Sequence, residues 1–187
     1  MNRKEKRKQA KIARNPGAAS IDLMLQSALN EHRQGHFQRA EKNYRKILTI
    51  QSNHFDATHL LGTLFFQKGD NERAICLFQK AIKIHKDNDE ALYNLGMALA
   101  MQNHIDDALA AFAQSEALNP FEAKIPFNAA NILHENGRFV EAVEKYRRAI
   151  AINPCYDKAL LNLGNSLKEL GLVDEAETAY HQVIKLR

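Results

Sequence analysis

Histidine and carboxylate side chains are the most reactive groups in this sequence, but their spacing does not assemble a metal site. His32 and His36 have the i, i+4 spacing of two ligands on one helix face, yet Gly35 between them is expected to end the helix. No third ligand follows at zinc spacing. The carboxylates at 106–107 and within 87–90 fit helix starts, where the macrodipole stabilises negative charge, better than a calcium loop. We therefore predict no bound metal.

Motifs for catalysis are missing as well. The sequence contains no Gly-rich phosphate loop, no Gly-x-Ser-x-Gly turn and no paired acid and base. Cys76 and Cys155 lack C-x-x-C or Cys/His spacing and are expected to be reduced thiols of a cytoplasmic protein. The sequence therefore predicts that the protein is not an enzyme, that it needs no cofactor and that it takes no small-molecule substrate.

Positive charge is concentrated at the start of the chain. Residues 1–14 contain seven Lys or Arg and one Glu, a net charge of +6, whereas the whole chain has +4. The remainder sums to −2, which predicts that the basicity belongs to a tail rather than to the folded surface. Such a run repels itself and favours a disordered leader over residues 1–20. It suggests nucleic acid or a membrane only weakly, because no aromatic residue is present to stack on bases, and a solvated leader without a partner is the simpler interpretation.

A period of 34 residues runs through the rest of the chain. Four columns of similar residues stay in register over five copies, which chance does not explain. The copies are units 21–54, 55–88, 89–122, 123–156 and 157–187. The columns are Gly35, Gly69, Asn103, Gly137 and Gly171; Ala40, Ala74, Ala108, Ala142 and Ala176; Tyr44, Phe78, Phe112, Tyr146 and Tyr180; and Ala28, Gly62, Gly96, Ala130 and Gly164.

Each unit is predicted to contain two helices joined by a tight turn. In the second unit these cover residues 55–68 and 71–84, and Gly69 ends the first helix in the left-handed conformation. The fourth, seventh, eighth and eleventh residues of a unit share one face of its first helix, and an apolar stripe on the second helix packs against them. No unit can bury both stripes alone, so the units must stack into a solenoid.

The Leu-Gly pair, the turn Gly, the Ala and the Tyr or Phe at these spacings resemble the tetratricopeptide repeat. The resemblance covers residues 21–187 and implies an all-α fold, a right-handed α-solenoid of five helix-turn-helix repeats. Departures are local: Ser27 and Ala129 replace the usual Leu, and Ser115 and Val183 replace the usual Ala. In this family the other face of each first helix lines a concave groove that holds peptides.

That groove face supplies the candidate binding residues. We expect its side chains to be free of any role in packing within the helix pair and to contact a partner instead. The candidates are Tyr93, Asn94, Met97, Phe127, Asn128, Asn131, Asn162 and Asn165.

Five of these candidates form a row of asparagines. An Asn side chain both donates and accepts, so such a row can grip a peptide backbone with little regard to its side chains. Units four and five, with Asn128-Ala-Ala-Asn131 and Asn162-Leu-Gly-Asn165, resemble the asparagine-lined repeats in front of O-linked N-acetylglucosamine transferases. The alternative is that Asn is only a neutral residue tolerated in this column. Both interpretations stay open.

The other candidates belong to an apolar and aromatic patch. It contains Phe66, Tyr93, Met97, Met101 and Phe127. Aromatic and Met side chains on a polar groove are typical of interaction sites. Several of them, Phe66 and Phe127 above all, can instead pack between neighbouring helices. We expect Tyr93 and Met97 to contact the ligand.

The predicted function is a protein–protein interaction scaffold that binds a peptide or protein segment in the groove. The alternative is the N-terminal substrate-presenting region of a larger glycosyl-, methyl- or sulfotransferase, because such chains often begin with similar repeats after a short basic leader. A further expectation concerns residues 173–187. Their apolar stripe has no following helix to cover it, which predicts end-to-end self-association.

Overall fold

The computed structural model describes residues 16–186, with side chains from residue 20 onward. Helices joined by short turns make up this part of the chain. They are α1 Pro16–Arg33, α2 Phe37–Ile50, α3 Phe55–Gln67, α4 Asn71–Ile84, α5 Asp89–Met101, α6 Ile105–Leu118, α7 Lys124–Glu135, α8 Phe139–Ile152, α9 Asp157–Glu169 and α10 Val173–Lys185. The predicted bounds in the second unit are therefore confirmed to within one residue.

The turn column closes each helix pair as predicted. Its four glycines have φ between 72° and 78°, in the left-handed region. Asn103 adopts φ 60° at the equivalent place in the third repeat, a conformation that Asn tolerates better than most residues with a side chain. The sharp turn lets the second helix fold back against the first.

A ring on the second helix packs against a small residue on the first helix of each pair. The rings at positions 44, 78, 112 and 146 are at most 1% exposed. A Cβ atom on Gly62 would lie 2.8 Å from Cε1 of Phe78, and one on Gly96 would lie 3.0 Å from Cδ1 of Phe112. The small column therefore exists because the ring occupies the space that a side chain would need.

Ser115 and Pro126 are both buried in the helix pairs without the loss of a hydrogen bond. Ser115 stands where Ala is usual, is wholly buried, and donates its hydroxyl proton to the backbone carbonyl of Asp89 at 2.8 Å. Pro126 lies in the first turn of α7 and is buried, at a position where its missing N–H costs no helical hydrogen bond. Ser115 therefore takes the place of the usual Ala without leaving a buried hydroxyl unpaired.

The predicted end of the disordered leader at residue 20 is wrong. Residues 16–20 are helical and belong to α1, so the helical region begins before residue 21. The rest of the leader, residues 1–15, lies outside the described part of the chain.

The chain divides into two compact units, 1–86 and 87–187, which we call the N-terminal unit and the C-terminal unit. In the N-terminal unit the pairs α1–α2 and α3–α4 stack through α2 and α3. In the C-terminal unit three pairs stack in the same manner, through α6–α7 and α8–α9. This side-by-side stacking of helix pairs confirms the predicted all-α solenoid class. No helix within residues 16–186 is long and apolar enough to span a membrane.

Candidate functional site

The predicted binding residues all lie in the C-terminal unit, on the first helix of each of its three pairs. Seven are half-buried and Asn165 is exposed. Tyr93, Asn94 and Met97 are on α5, Phe127, Asn128 and Asn131 on α7, and Asn162 and Asn165 on α9. We call this surface, formed by α5, α7 and α9, the first-helix face.

A hydrogen bond joins α7 to α5 across this face. Nδ2 of Asn128 donates to the hydroxyl oxygen of Tyr93 at 2.7 Å. The Tyr93 ring itself packs against Phe112 of α6, with ring centroids 5.7 Å apart, and Nζ of Lys124 lies 5.2 Å from the ring centroid. Burial raises the pKa of Tyr93 above its ordinary value, so its hydroxyl stays protonated further into the alkaline range. The Tyr93 side chain is therefore held in place by contacts with α6 and α7.

Asn131 is the hub of the asparagine row. Its Oδ1 accepts two hydrogen bonds, one from the hydroxyl of Tyr146 at 2.7 Å and one from Nδ2 of Asn162 at 2.9 Å. The first bond joins the two helices of one pair, and the second joins neighbouring repeats. The row is therefore a structural network as well as a candidate binding surface.

The last pair repeats the first of these bonds. The Tyr180 hydroxyl donates to Oδ1 of Asn165 at 2.9 Å, the same fifteen-residue separation as between Asn131 and Tyr146. The expectation that side chains on this face have no role within the helix pair is therefore wrong for Asn131 and Asn165. In these two pairs the ring that packs against the small residue is a tyrosine, and its hydroxyl reaches the asparagine that directly follows that small residue on the first helix.

Part of each amide remains free despite these bonds. Among the described residues, Oδ1 of Asn128 and of Asn162 and both protons of Nδ2 of Asn131 have no hydrogen-bond partner. No buried side-chain polar atom in the described part of the chain lacks a partner, so these free groups are open to solvent. The face thus presents two acceptors and one donor group on adjacent helices.

Phe127 packs on its neighbours rather than standing free on the face. Its ring centroid lies 4.7 Å from that of Tyr156 and 6.1 Å from that of Tyr146. It is one of the partly buried residues around the core of this unit. Its position agrees with the packing interpretation, and contact between its exposed part and a ligand stays a prediction.

An open cleft of about 300 Å³ lies between α5 and α7, next to the free amides. Met97, Ala100 and Ile132 supply apolar surface, and Met101 is 66% exposed at its mouth. The remaining lining comes from the turn after α5, from the first residue of α6, and from one side and the end of α7. The complete lining is Met97, Ala100, Met101, Asn103, Ile105, Asn128, Asn131, Ile132, Glu135 and Asn136.

Sequence reasoning missed part of that cleft. Ile105 is the first residue of α6, Glu135 is the last residue of α7, and Asn136 follows it. Nδ2 of Asn136 donates to the backbone carbonyl of Ile132 at 2.8 Å, which holds the end of α7. Glu135 follows Asn131 by four residues and therefore lies on the same side of α7, which is the available signal in the sequence.

Tyr146 beneath the network has a strongly perturbed pKa. Burial raises the pKa of its hydroxyl to about 12. Tyr44, its counterpart in the N-terminal unit, is wholly buried and its pKa is also raised to about 12 by burial. Both hydroxyls are held neutral because an ionised oxygen inside the helix pair would lose its hydration.

Alkaline pH is therefore expected to weaken the fold. A raised folded-state pKa means that the stabilisation is fully present below the ordinary pKa of about 10 and is lost as the pH rises toward about 12. Urea unfolding followed by circular dichroism from about pH 8 to about pH 11 measures this loss. Tyr146→Phe has no hydroxyl to ionise and should lose less stability over that range than the unmodified chain. An equal loss in both proteins would contradict the assignment.

The candidate metal pair is occupied by other contacts. Nδ1 of His32 lies 3.2 Å from the Tyr44 hydroxyl and Nε2 lies 2.9 Å from Oε1 of Gln67, whereas Nδ1 of His36 lies 2.8 Å from Oε2 of Glu31. Within residues 16–186, no group of three His, Cys, Asp or Glu side chains is arranged to hold a metal ion.

Comparison with family models supplies the family. A model described as TPR repeat matches residues 62–103 and 130–171, and two models described as tetratricopeptide repeat match residues 89–121 and 158–186. Together the matches cover more than half of the chain. The chain belongs to the tetratricopeptide repeat family. No curated protein matches the sequence.

Solved tetratricopeptide repeat structures are similar over most of the chain. The crystal structure of MamA is 25% identical, with a TM-score of 0.81, and the match covers 85% of this chain and 93% of MamA. YrrB, described as a TPR protein with an unusual peptide-binding site, is 21% identical with a TM-score of 0.75, covering 88% and 84%. PilF of Pseudomonas aeruginosa is 19% identical with a TM-score of 0.77, covering 91% and 78%. Family and fold together support a protein-interaction scaffold.

Proposed function

We propose that the first-helix face of the C-terminal unit binds an extended peptide segment of another protein. The observation that carries this proposal is the juxtaposition of solvent-open amide groups with an apolar cleft. Oδ1 of Asn128, Nδ2 of Asn131 and Oδ1 of Asn162 are free on adjacent helices. The cleft opens beside the first two of them.

The two features divide the work of recognition. The free acceptors take peptide N–H groups and the free donor takes a peptide carbonyl, so the backbone is held without regard to side-chain identity. The cleft then takes one apolar side chain on a surface of Met, Ala and Ile. Met side chains adapt to different shapes, which suits a cleft that accepts related apolar residues.

The internal network prepares the face for binding. Because Asn131 is held by Tyr146 and Asn162, its free Nδ2 is already oriented before a ligand arrives. Less side-chain entropy is then lost on binding. The family and the description of YrrB as a TPR protein with an unusual peptide-binding site lend support to a peptide ligand.

A peptide selection tests this function without a known partner. Random peptides displayed on phage are selected on the full chain, and the strongest binder is synthesised and titrated into isotopically labelled protein. The expected result is that amide resonances of α5, α7 and α9 shift, while those of α6 and α8, the second helices of their pairs, do not. Shifts confined to the outer helices, or to the N-terminal unit, would contradict the proposal.

Self-association through residues 173–187 is the second proposal. The supporting observation is the exposure of apolar residues at this end of the C-terminal unit: Val173 is 55% exposed, Ile184 68% and Leu186 42%. Tyr180 is half-buried, whereas the equivalent Tyr146 is 1% exposed. This end of the stack therefore offers apolar surface of the kind that the next pair covers in the earlier repeats.

A cytoplasmic location is proposed on the chemistry of the cysteines. Cys76 and Cys155 are both free and exposed. Exposed thiols without a disulfide suit a reducing compartment.

A further inference from the structure

The geometry points to a head-to-tail contact in which α10 of one copy docks on the outer face of α2 of a second copy. This inference rests on the proposed self-association through residues 173–187 and names the surface that receives it. Two properties carry it: the charges of the two units are opposite, and each of the two helices presents a matching stripe of exposed side chains.

The two units differ sharply in charge. Residues 20–86 contain ten Lys or Arg and six Asp or Glu, a net charge of +4, whereas residues 87–187 contain nine and fifteen, a net charge of −6. The leader adds +6 to the N-terminal side. The expectation that the folded part carries no basic surface is therefore wrong, because a sum of −2 conceals two opposite units.

The basic surface of the N-terminal unit includes a stripe along α2. Lys42, Lys46 and Ile50 are spaced by four residues, so they lie on one side of the helix, and all three are exposed. Ile50 is 60% exposed. Neither lysine forms an ion pair with another described residue, whereas Arg45 in the same helix is paired with Glu41 at 3.0 Å. The two lysines are therefore uncompensated charges.

The complementary stripe lies on α10. Asp174, Glu177, His181 and Ile184 follow one another at spacings of three or four residues and are all exposed. Asp174 and Glu177 form no ion pair with another described residue, whereas Glu175 between them is paired with Arg147 at 2.6 Å. Like α2, the helix thus presents two uncompensated charges followed by an exposed isoleucine near its end.

Charge disfavours the parallel symmetric alternatives. Two α10 helices packed side by side in the same direction would bring four carboxylates together, and two α2 helices packed in this way would bring four lysines together. Docking α10 on α2 in a parallel orientation with Ile184 beside Ile50 instead brings Asp174 and Glu177 near Lys42. Lys46 then lies about one turn of helix from Glu177 and about two turns from Asp174. Such a contact is heterologous, because the two surfaces lie on different units. The copies are therefore expected to form assemblies larger than a dimer as the concentration rises.

The chemistry of the basic surface favours a protein over a nucleic acid. Three of the four arginines within residues 20–86, Arg39, Arg45 and Arg73, are already paired with acidic side chains, whereas Arg33 forms no ion pair with another described residue. Tyr44 and Phe78, the rings at the centres of α2 and α4, are fully buried and offer nothing for a base to stack on. The uncompensated lysines are point charges suited to carboxylates on an opposing helix.

Sedimentation velocity of the full chain tests the contact. At low salt the sedimentation coefficient should rise with concentration up to high micromolar, and the rise should vanish at about 1 M salt, where the Debye length is about 3 Å. Lys42→Glu/Lys46→Glu and Asp174→Lys/Glu177→Lys should each lower the association constant at least about tenfold. An equimolar mixture of the two variants should associate again, because each retains the surface that the other has lost.

A matched control variant and two opposing results separate self-association from docking on α2. Lys158→Glu/Lys168→Glu changes the net charge equally but lies on α9, and it should associate like the unmodified chain. An unmodified chain that stays monomeric at low salt would remove the proposed self-association itself. Association that persists in the Lys42/Lys46 variant would leave self-association standing and overturn the docking on α2.

A second assay separates an anionic partner from a second copy. Flotation with vesicles rich in phosphatidylserine and co-sedimentation with RNA are compared for the unmodified chain and the Lys42/Lys46 variant. Equal binding, or none, in both proteins agrees with docking between copies. Loss of vesicle or RNA binding in the variant, with self-association unchanged, would show that the stripe on α2 serves an anionic partner instead.

Discussion

Tyr146→Ala is expected to lower the free energy of unfolding of the C-terminal unit by about 3–5 kcal/mol. Tyr146 is 1% exposed and belongs to the core cluster shared by the last two helix pairs. Its removal opens a cavity between α7 and α8 and takes away the hydroxyl that donates to Asn131. The loss thus combines the transfer free energy of a buried ring with the loss of a buried hydrogen bond.

Tyr180→Ala is the matched control for this substitution. Tyr180 makes the same bond, to Asn165 at 2.9 Å, and its ring lies against Gly164 in the same place in the repeat. It is only half-buried, so its replacement should cost about 1–2 kcal/mol. The difference between the two variants measures how much burial by a following repeat adds to the pair.

Urea unfolding of both variants, followed by circular dichroism, gives the comparison. Repeat proteins can unfold in more than one step, so the transition of each unit is analysed separately. Equal losses at the two positions would mean that stacking adds nothing to the pair, which contradicts the arrangement of the core.

The helix pairs could be predicted from the sequence because their determinants are local. A small residue in the first helix, a turn residue with positive φ and a ring in the second helix lie within about one repeat of each other, and Gly62, Gly69 and Phe78 show all three. The three residue preferences favour the same local structure, and the pattern recurs in five copies. The all-α solenoid class follows from that agreement.

The properties of the first-helix face could be predicted only in part. Which residues share the face follows from helical spacing, but their partners depend on distances between helices. Asn131 binds a residue fifteen positions later and another thirty-one positions later, and neither bond has a signature in composition. The separation of charge was visible in the sequence only after the boundary near residue 86 was known.

Removing the methionine side chains that line the cleft is expected to have the largest effect on the Kd of a bound peptide. Met97→Ala/Met101→Ala removes most of the apolar side-chain surface that α5 gives to the cleft and should raise the Kd of a selected peptide by about 30-fold, equivalent to about 2 kcal/mol. Met101 is 66% exposed and Met97 is half-buried, so the fold should tolerate both changes.

Val140→Ala is the control for loss of exposed apolar surface. Val140 is 61% exposed, similar to Met101, but lies on the second helix α8. The Kd of the Val140→Ala variant for the selected peptide should equal that of the unmodified chain. Titration calorimetry with the selected peptide gives both values, and equal binding by the Met97/Met101 variant and the unmodified chain would exclude the cleft as the ligand site.

Asn131→Asp separates the binding role of the asparagine row from its structural role. Aspartate keeps the Oδ1 atom that accepts from Tyr146 and Asn162, so the internal network and the melting temperature should be largely retained. The substitution removes the free Nδ2 donor and places a carboxylate oxygen where a peptide carbonyl would bind. Two acceptors then face each other, and the Kd should rise by about tenfold, or about 1.4 kcal/mol. A variant that melts like the unmodified chain and binds equally well would leave the asparagine row with a structural role alone, because the position offers the same shape and the same internal bonds in both proteins.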